Sequence, residues 1–115
     1  MKLKVSEHQL QTLLKNYLEA KGWFVLRLNS GAIRTDKGNM VRMARAGTPD
    51  LMAFKMDVHP LASGRFNALR LVFIEVKVPG NKPTYAQEQM MKELEEKGAG
   101  CLVVHSLEEL EEQLL

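Results

Sequence analysis

The chain has 115 residues, 45% of them apolar, with sixteen Lys and Arg against fourteen Asp and Glu. That length fits one domain over residues 1–115, with a real core but little room for an accessory module. A net charge of +2 does not by itself announce nucleic acid, the lone Cys101 excludes an intramolecular disulfide, and no apolar run approaches the ~20 residues of a membrane span. With a polar start and no signal peptide, a cytoplasmic location is expected.

Ser6 can cap a helix with Gln9 in the capping-box position, and Leu10, Leu13, Leu14, Tyr17 and Leu18 recur at helical spacing up to Gly22. Glu7 lies in the first turn on the apolar side of that helix. An inward carboxylate is unusual, although complementing the helix dipole would account for it. Residues 23–28 then predict a strand, stopped by Asn29, Ser30 and Gly31. Between residues 27 and 45 the basic residues Arg27, Arg34, Lys37, Arg42 and Arg45 face a single acid, Asp36, and residues 36–39 can turn between two short extended arms. This segment reads as a basic flap. Each arginine could simply be solvated, while the cluster suits backbone phosphates.

The stretch from Gly47 to Lys77 organises the rest. Gly47 and Pro49 set a sharp turn that presents Asp50, and Leu51 to Phe54 predict a strand. Residues 59–67 read as a long loop, followed by the apolar strand of residues 71–78. On that strand Glu75 and Lys77 share a face, because side chains alternate. Charges in such a run are costly unless they are paired or bind metal. If the strands of Asp50 and Glu75 pair, the two carboxylates converge. A surface turn plus a salt-bridged strand would explain each residue taken singly, but less easily all three together.

Beyond Pro79 to Pro83, Thr84 and Gln87 form a second capping box, which by itself explains Gln87, and the helix runs to about Lys97. Residues 98–100 end it, residues 101–104 predict a buried strand, and Ser106 with Glu109 caps a final helix to Leu115. Leu110, Leu114 and Leu115 could pack in the core or across a two-fold axis. His8, His59 and His105 lack metal-ligand spacing, Cys101 has no adjacent histidine, and no phosphate-binding glycine loop suggests a nucleotide cofactor. The methionines Met40, Met43, Met52, Met56, Met90 and Met91 suit cores or interfaces.

A helix bearing an acid, then Pro49-Asp50, then Glu75-Val76-Lys77 on the next strand, then a helix and a strand, resembles the PD-(D/E)xK nuclease superfamily. Gly47-Thr48-Pro49-Asp50, Glu75-Val76-Lys77 and Thr84-Tyr85-Ala86-Gln87 resemble its virus-type replication-repair nuclease (VRR-Nuc) family over nearly the whole chain. The resemblance implies an α/β fold with a restriction-endonuclease-like core, a mixed central sheet flanked by helices. It also implies that Asp50, Glu75 and the Val76 carbonyl ligate Mg²⁺ or Mn²⁺, and that Glu7 supports a second metal or an outer-shell water. Lys77 would position or deprotonate the attacking water or stabilise charge on the phosphate, and Gln87 would orient Lys77 or the water. The implied activity is hydrolysis of phosphodiester bonds by a structure-selective DNA endonuclease, a four-way (Holliday) junction resolvase acting in DNA repair as a homodimer, since cutting both strands of a branch needs two sites. Two other readings stay open. One is a non-catalytic nucleic-acid-binding subunit that keeps the fold, and the other is a nuclease of single-stranded DNA or RNA.

Overall fold

The computed structural model describes residues 4–28, 32–42, 45–61 and 64–114. The chain-break signal at residues 29–31, Met43 and Leu115 lie outside them.

Helix α1 (Glu7–Ala20) begins at Ser6, whose hydroxyl accepts from the Gln9 amide while the Gln9 side chain accepts from the Ser6 amide. This reciprocal box satisfies two of the amides that a helix start leaves unpaired. Strand β1 (Phe24–Arg27) follows, then a two-stranded ribbon of β2 (Ala32–Arg34) and β3 (Met40–Arg42) around the expected turn. Two long strands come next, β4 (Leu51–Leu61) and β5 (Gly64–Val76). Helix α2 (Tyr85–Glu96), strand β6 (Gly100–Val104) and helix α3 (Leu107–Leu114) complete the order.

The main sheet has the order β1-β4-β5-β6. Strands β1, β4 and β5 run antiparallel, and β6 lies parallel to β5 after the crossover through α2 that a parallel neighbour requires. This is the mixed, helix-flanked sheet of a PD-(D/E)xK-like core. One face packs Val25, Leu51, Ala53, Val72, Ile74, Val76 and Val104 against Leu10, Leu14 and Leu18 of α1 and Leu110 of α3. Each helix contributes a row at three- and four-residue spacing, and each strand contributes alternate positions. Leu110 is fully buried and Leu114 packs on the same cluster, so both serve this core. Helix α2 lies over the other face, where the Cys101 thiol meets the Met91 carbonyl at 3.6 Å. Burial pushes that thiol up to about 11, as expected of a packing residue rather than a nucleophile.

One expectation is overturned. Residues 59–67 are not a long loop: β4 and β5 stay paired from Leu51↔Ile74 to Leu61↔Gly64, leaving only residues 62–63 between them. Strand β1 reaches no further along β4 than Phe54, and β6 pairs with β5 only from Val72 onward. The outer halves of β4 and β5 therefore form a two-stranded arm. Pro60 lies where β4 has become an edge, so its missing N–H can face outward. Among the described residues no helix is long and apolar enough to cross a membrane.

Candidate metal centre

Asp50 stands one residue before β4. Gly47 reaches that point with φ +86°, and a Cβ there would lie 2.7 Å from the Ala86 carbonyl carbon. Glycine is needed twice over, for the left-handed backbone and for the close approach to the first turn of α2. Pro49 is fully buried beside it. The pairing of Leu51 with Ile74 then sets Asp50 beside the end of β5, where its Oδ2 accepts from the Val76 amide at 2.8 Å. The register that makes the sheet also joins Asp50 to the Glu75-Val76-Lys77 run.

Glu75 is 1% exposed and Asp50 5%. Glu75 Oε1 accepts from Gln87 Nε2 at 3.0 Å and lies 3.7 Å from the Lys77 ammonium. Its other oxygen, Oε2, is buried with no hydrogen-bond donor among the described residues. Oxygens of Glu7, Asp50 and Glu75 lie within 4.8 Å of one another, so the inward side chain at the start of α1 meets the two strand acids. Burial, then the nearby Asp50 carboxylate, pushes Glu75 up to about 8; Lys77 pulls the other way and Glu7 adds to the rise. Three carboxylates face one ammonium, and one oxygen is orphaned. A set of hard oxygen donors short of positive charge fits a divalent cation that seeks oxygen ligands.

Gln87 closes the expected capping box and also holds Glu75, where the resemblance had implied that it orients Lys77 or the water. Its Oε1 accepts from the Thr84 amide at 2.8 Å, closing the capping box, while its Nε2 reaches Glu75. The cap locks the rotamer that delivers the amide to the carboxylate. Lys77, with 12% of its side chain exposed, is held by its backbone amide, which donates to the Val104 carbonyl at 3.0 Å.

The basic residues are dispersed. Arg27 is half-buried, and its guanidinium donates to the Thr12 hydroxyl of α1. Arg45 is exposed and pairs with Glu93 of α2. Lys37 is exposed in the turn of the β2–β3 ribbon, while the side chains of Arg34 and Arg42 lie outside the described set. His105 is engaged elsewhere: its ring nitrogens lie 3.0 Å from a Glu109 carboxylate oxygen and 3.0 Å from the Asn81 carbonyl.

No protein-family model and no curated protein matches the chain in sequence. Two solved structures match it in fold. One, titled "VRR_NUC domain", has a TM-score of 0.63 and 25% identity, with 94% of this chain and 92% of that chain covered. The other, titled "VRR_NUC domain protein", has a TM-score of 0.61 and 20% identity, with 97% and 87% covered. Both likenesses run from end to end rather than over the sheet alone, and they carry the family name that the motifs already suggested. The chain is therefore similar to VRR_NUC domains and has their fold, that of a nuclease domain.

Proposed function

We propose that this chain is a Mg²⁺- or Mn²⁺-dependent, structure-selective DNA endonuclease that hydrolyses phosphodiester bonds in branched substrates, four-way junctions foremost, as a homodimer. The observation that carries the reading is the buried, donorless Glu75 Oε2 inside a three-carboxylate cluster with Lys77 beside it. A salt-bridged structural strand would leave no such oxygen without a partner.

Asp50, Glu75 and the Val76 carbonyl would hold the cation, with Glu7 serving a second ion or an outer-shell water. A bound divalent ion polarises the scissile phosphate and makes water a nucleophile near neutral pH. Lys77 orients that water, takes its proton or steadies charge on the phosphate. Gln87 fixes the free rotation of Glu75, so the carboxylate is aimed before substrate arrives. Arg27, Arg34, Lys37, Arg42 and Arg45 supply phosphate contacts that position the strand without reading its sequence.

The test is cleavage of end-labelled duplex, flap, splayed-arm, single-stranded and four-way-junction DNA with Mg²⁺, Mn²⁺ or EDTA. Lys77→Ala should lower the metal-dependent rate by about 100-fold or more. Symmetric paired nicks on the junction support resolution by a dimer. Junction binding without cleavage under any metal would replace the nuclease reading with that of a binding subunit.

A further inference from the structure

At the margin of the core, where β1 has ended its pairing and β4 and β5 run on as the arm, three cations gather around two aromatic rings. Lys55 and Arg70 stand directly opposite each other in the β4–β5 register, on the face that carries Ala53 and Val72 inward. Both lie over the buried indole of Trp23, with the Lys55 ammonium 5.0 Å and the Arg70 guanidinium carbon 5.4 Å from the ring centre. Lys21, the C-cap of α1, lies 5.7 Å from the centre of the Tyr17 ring. One cation over an indole is favourable, but like charges placed directly opposite repel. None of the three forms an ion pair among the described residues.

These side chains, with Glu111 and Leu114 of α3, line a half-open cavity of about 230 Å³. Glu111 is exposed and is the one acid in the lining, while Asp57, two places outward on β4, lies outside it. The weakly negative ends of α1 and α3 also border the space. Against Glu111 and about half a charge from each helix end, the three cations leave an excess of about one positive charge. Arg70 spends one N–H on the Leu114 carbonyl at 2.8 Å, which fixes its fork and leaves its other donors for a ligand. The metal centre is elsewhere. Five residues of β5, roughly 17 Å, separate Arg70 from Glu75, and the odd spacing turns the two to opposite faces.

We propose that this cavity binds a small, free phosphate monoester, with Arg70, Lys55 and Lys21 on the phosphate and the Tyr17 and Leu114 side chains against its organic part. A guanidinium fork matches phosphate oxygens, and a dianion relieves the repulsion between the opposed cations. The volume sets the size. Pockets for drug-sized molecules begin near ~300 Å³, so about 230 Å³ suits a phosphorylated sugar rather than a long chain. The site is independent of the nuclease reading, since no residue of the metal centre lines it.

The test is titration of the protein in EDTA with inorganic phosphate, ribose 5-phosphate and unphosphorylated ribose, read by calorimetry and by the fluorescence of Trp23, the lone tryptophan of the chain. Ribose 5-phosphate should bind at a single site and change the emission, inorganic phosphate should compete with it, and ribose should do neither. Lys55→Gln and Lys21→Gln should each weaken binding by about tenfold or more, through loss of a charge-assisted hydrogen bond. Arg70→Lys, which keeps the charge but not the fork, should weaken it less than Arg70→Gln. Lys92→Gln, on the exposed side of α2, should change nothing. Without ligand, Lys55→Gln should melt no lower than wild type, because a like-charge contact has gone, and ribose 5-phosphate should raise wild type more than the variant. A lysine that merely roofs the tryptophan predicts the reverse, a lower melting temperature for Lys55→Gln and no response to any phosphate. That result overturns the proposal. So does equal binding of ribose, binding unchanged in the lysine variants, or binding of a 5′-phosphorylated oligonucleotide that neither small phosphate displaces. DNA cleavage enters none of these readouts, so failure here leaves the metal centre's reading intact.

Discussion

At the scale of single residues, the centre is set by how few donors surround many acceptors. Asp50 is stabilised by the Val76 amide and Glu75 Oε1 by Gln87, but Glu75 Oε2 meets no N–H donor among the described residues, only the neighbouring Asp50 carboxylate. A carboxyl raised from 4.5 to about 8 stabilises the metal-free fold fully below pH 4.5, and that contribution disappears as pH rises to 8. Above pH 8, metal-free Glu75→Gln should therefore melt higher than wild type, because the unfavourable buried charge is gone. Mg²⁺ or Mn²⁺ should raise the wild-type melting temperature, by about 2.7 kcal/mol of stability at a hundredfold excess over Kd, and should not raise that of Glu75→Gln. Differential scanning fluorimetry with and without EDTA reads both. That Asp50, Glu75 and Lys77 come together was legible from residue type and order. The position of Glu7 among them was expected only from the family resemblance, because helical periodicity shows which way a side chain faces and not what it meets.

At the scale of elements, turns and caps aim the site. Gly47 carries Asp50 past the first turn of α2 at a separation that admits no side chain. Gly47→Ala should cost about 1–3 kcal/mol in urea unfolding, and it should lower cleavage too, since relief of the clash shifts the helix start that holds Gln87. A second tie joins α3 to the loop before α2. His105 donates from both ring nitrogens, to Glu109 and to the Asn81 carbonyl, and these bonds raise its pKa above 6.5. Hydrogen bonds from the same histidine hold Glu109 below 4.5. The pair thus stabilises the fold fully between pH 4.5 and 6.5. It weakens as pH rises through the folded pKa of His105 or falls through that of Glu109. In a series of melting temperatures against pH, the gap between wild type and His105→Gln should be widest in that window and narrow on either side. The element that misled was the arm. Pro60 and the Gly64 turn look like a loop locally, and only long-range pairing of β4 with β5 overrides them.

At the scale of the whole molecule, the two faces of one sheet are covered unequally. The first face joins α1, α3 and four strands in a single cluster, so Leu110→Ala should cost about 2–5 kcal/mol in chemical denaturation despite lying far along the chain from most of its contacts. The second face holds Gln87, Glu75 and the exposed Met56 and Leu69. A charge introduced at exposed Met56 or Leu69 should change stability in urea unfolding by no more than about 0.5 kcal/mol.

Residue order alone determined the helices, their caps, the alternation of the inner strands and the identity of the acids, because these are local properties of backbone and side chain. Local pattern also carried the family likeness, since the spacing of Asp50, Glu75, Lys77 and Gln87 follows from a strand, a loop and a helix in succession. Tertiary structure decided the rest: that Glu7 joins the strand acids, that one glutamine caps a helix and holds a carboxylate, and that the supposed loop is a paired arm. Each of these depends on which distant segments become neighbours. That choice is made by burying apolar faces in the correct register, which no local pattern states.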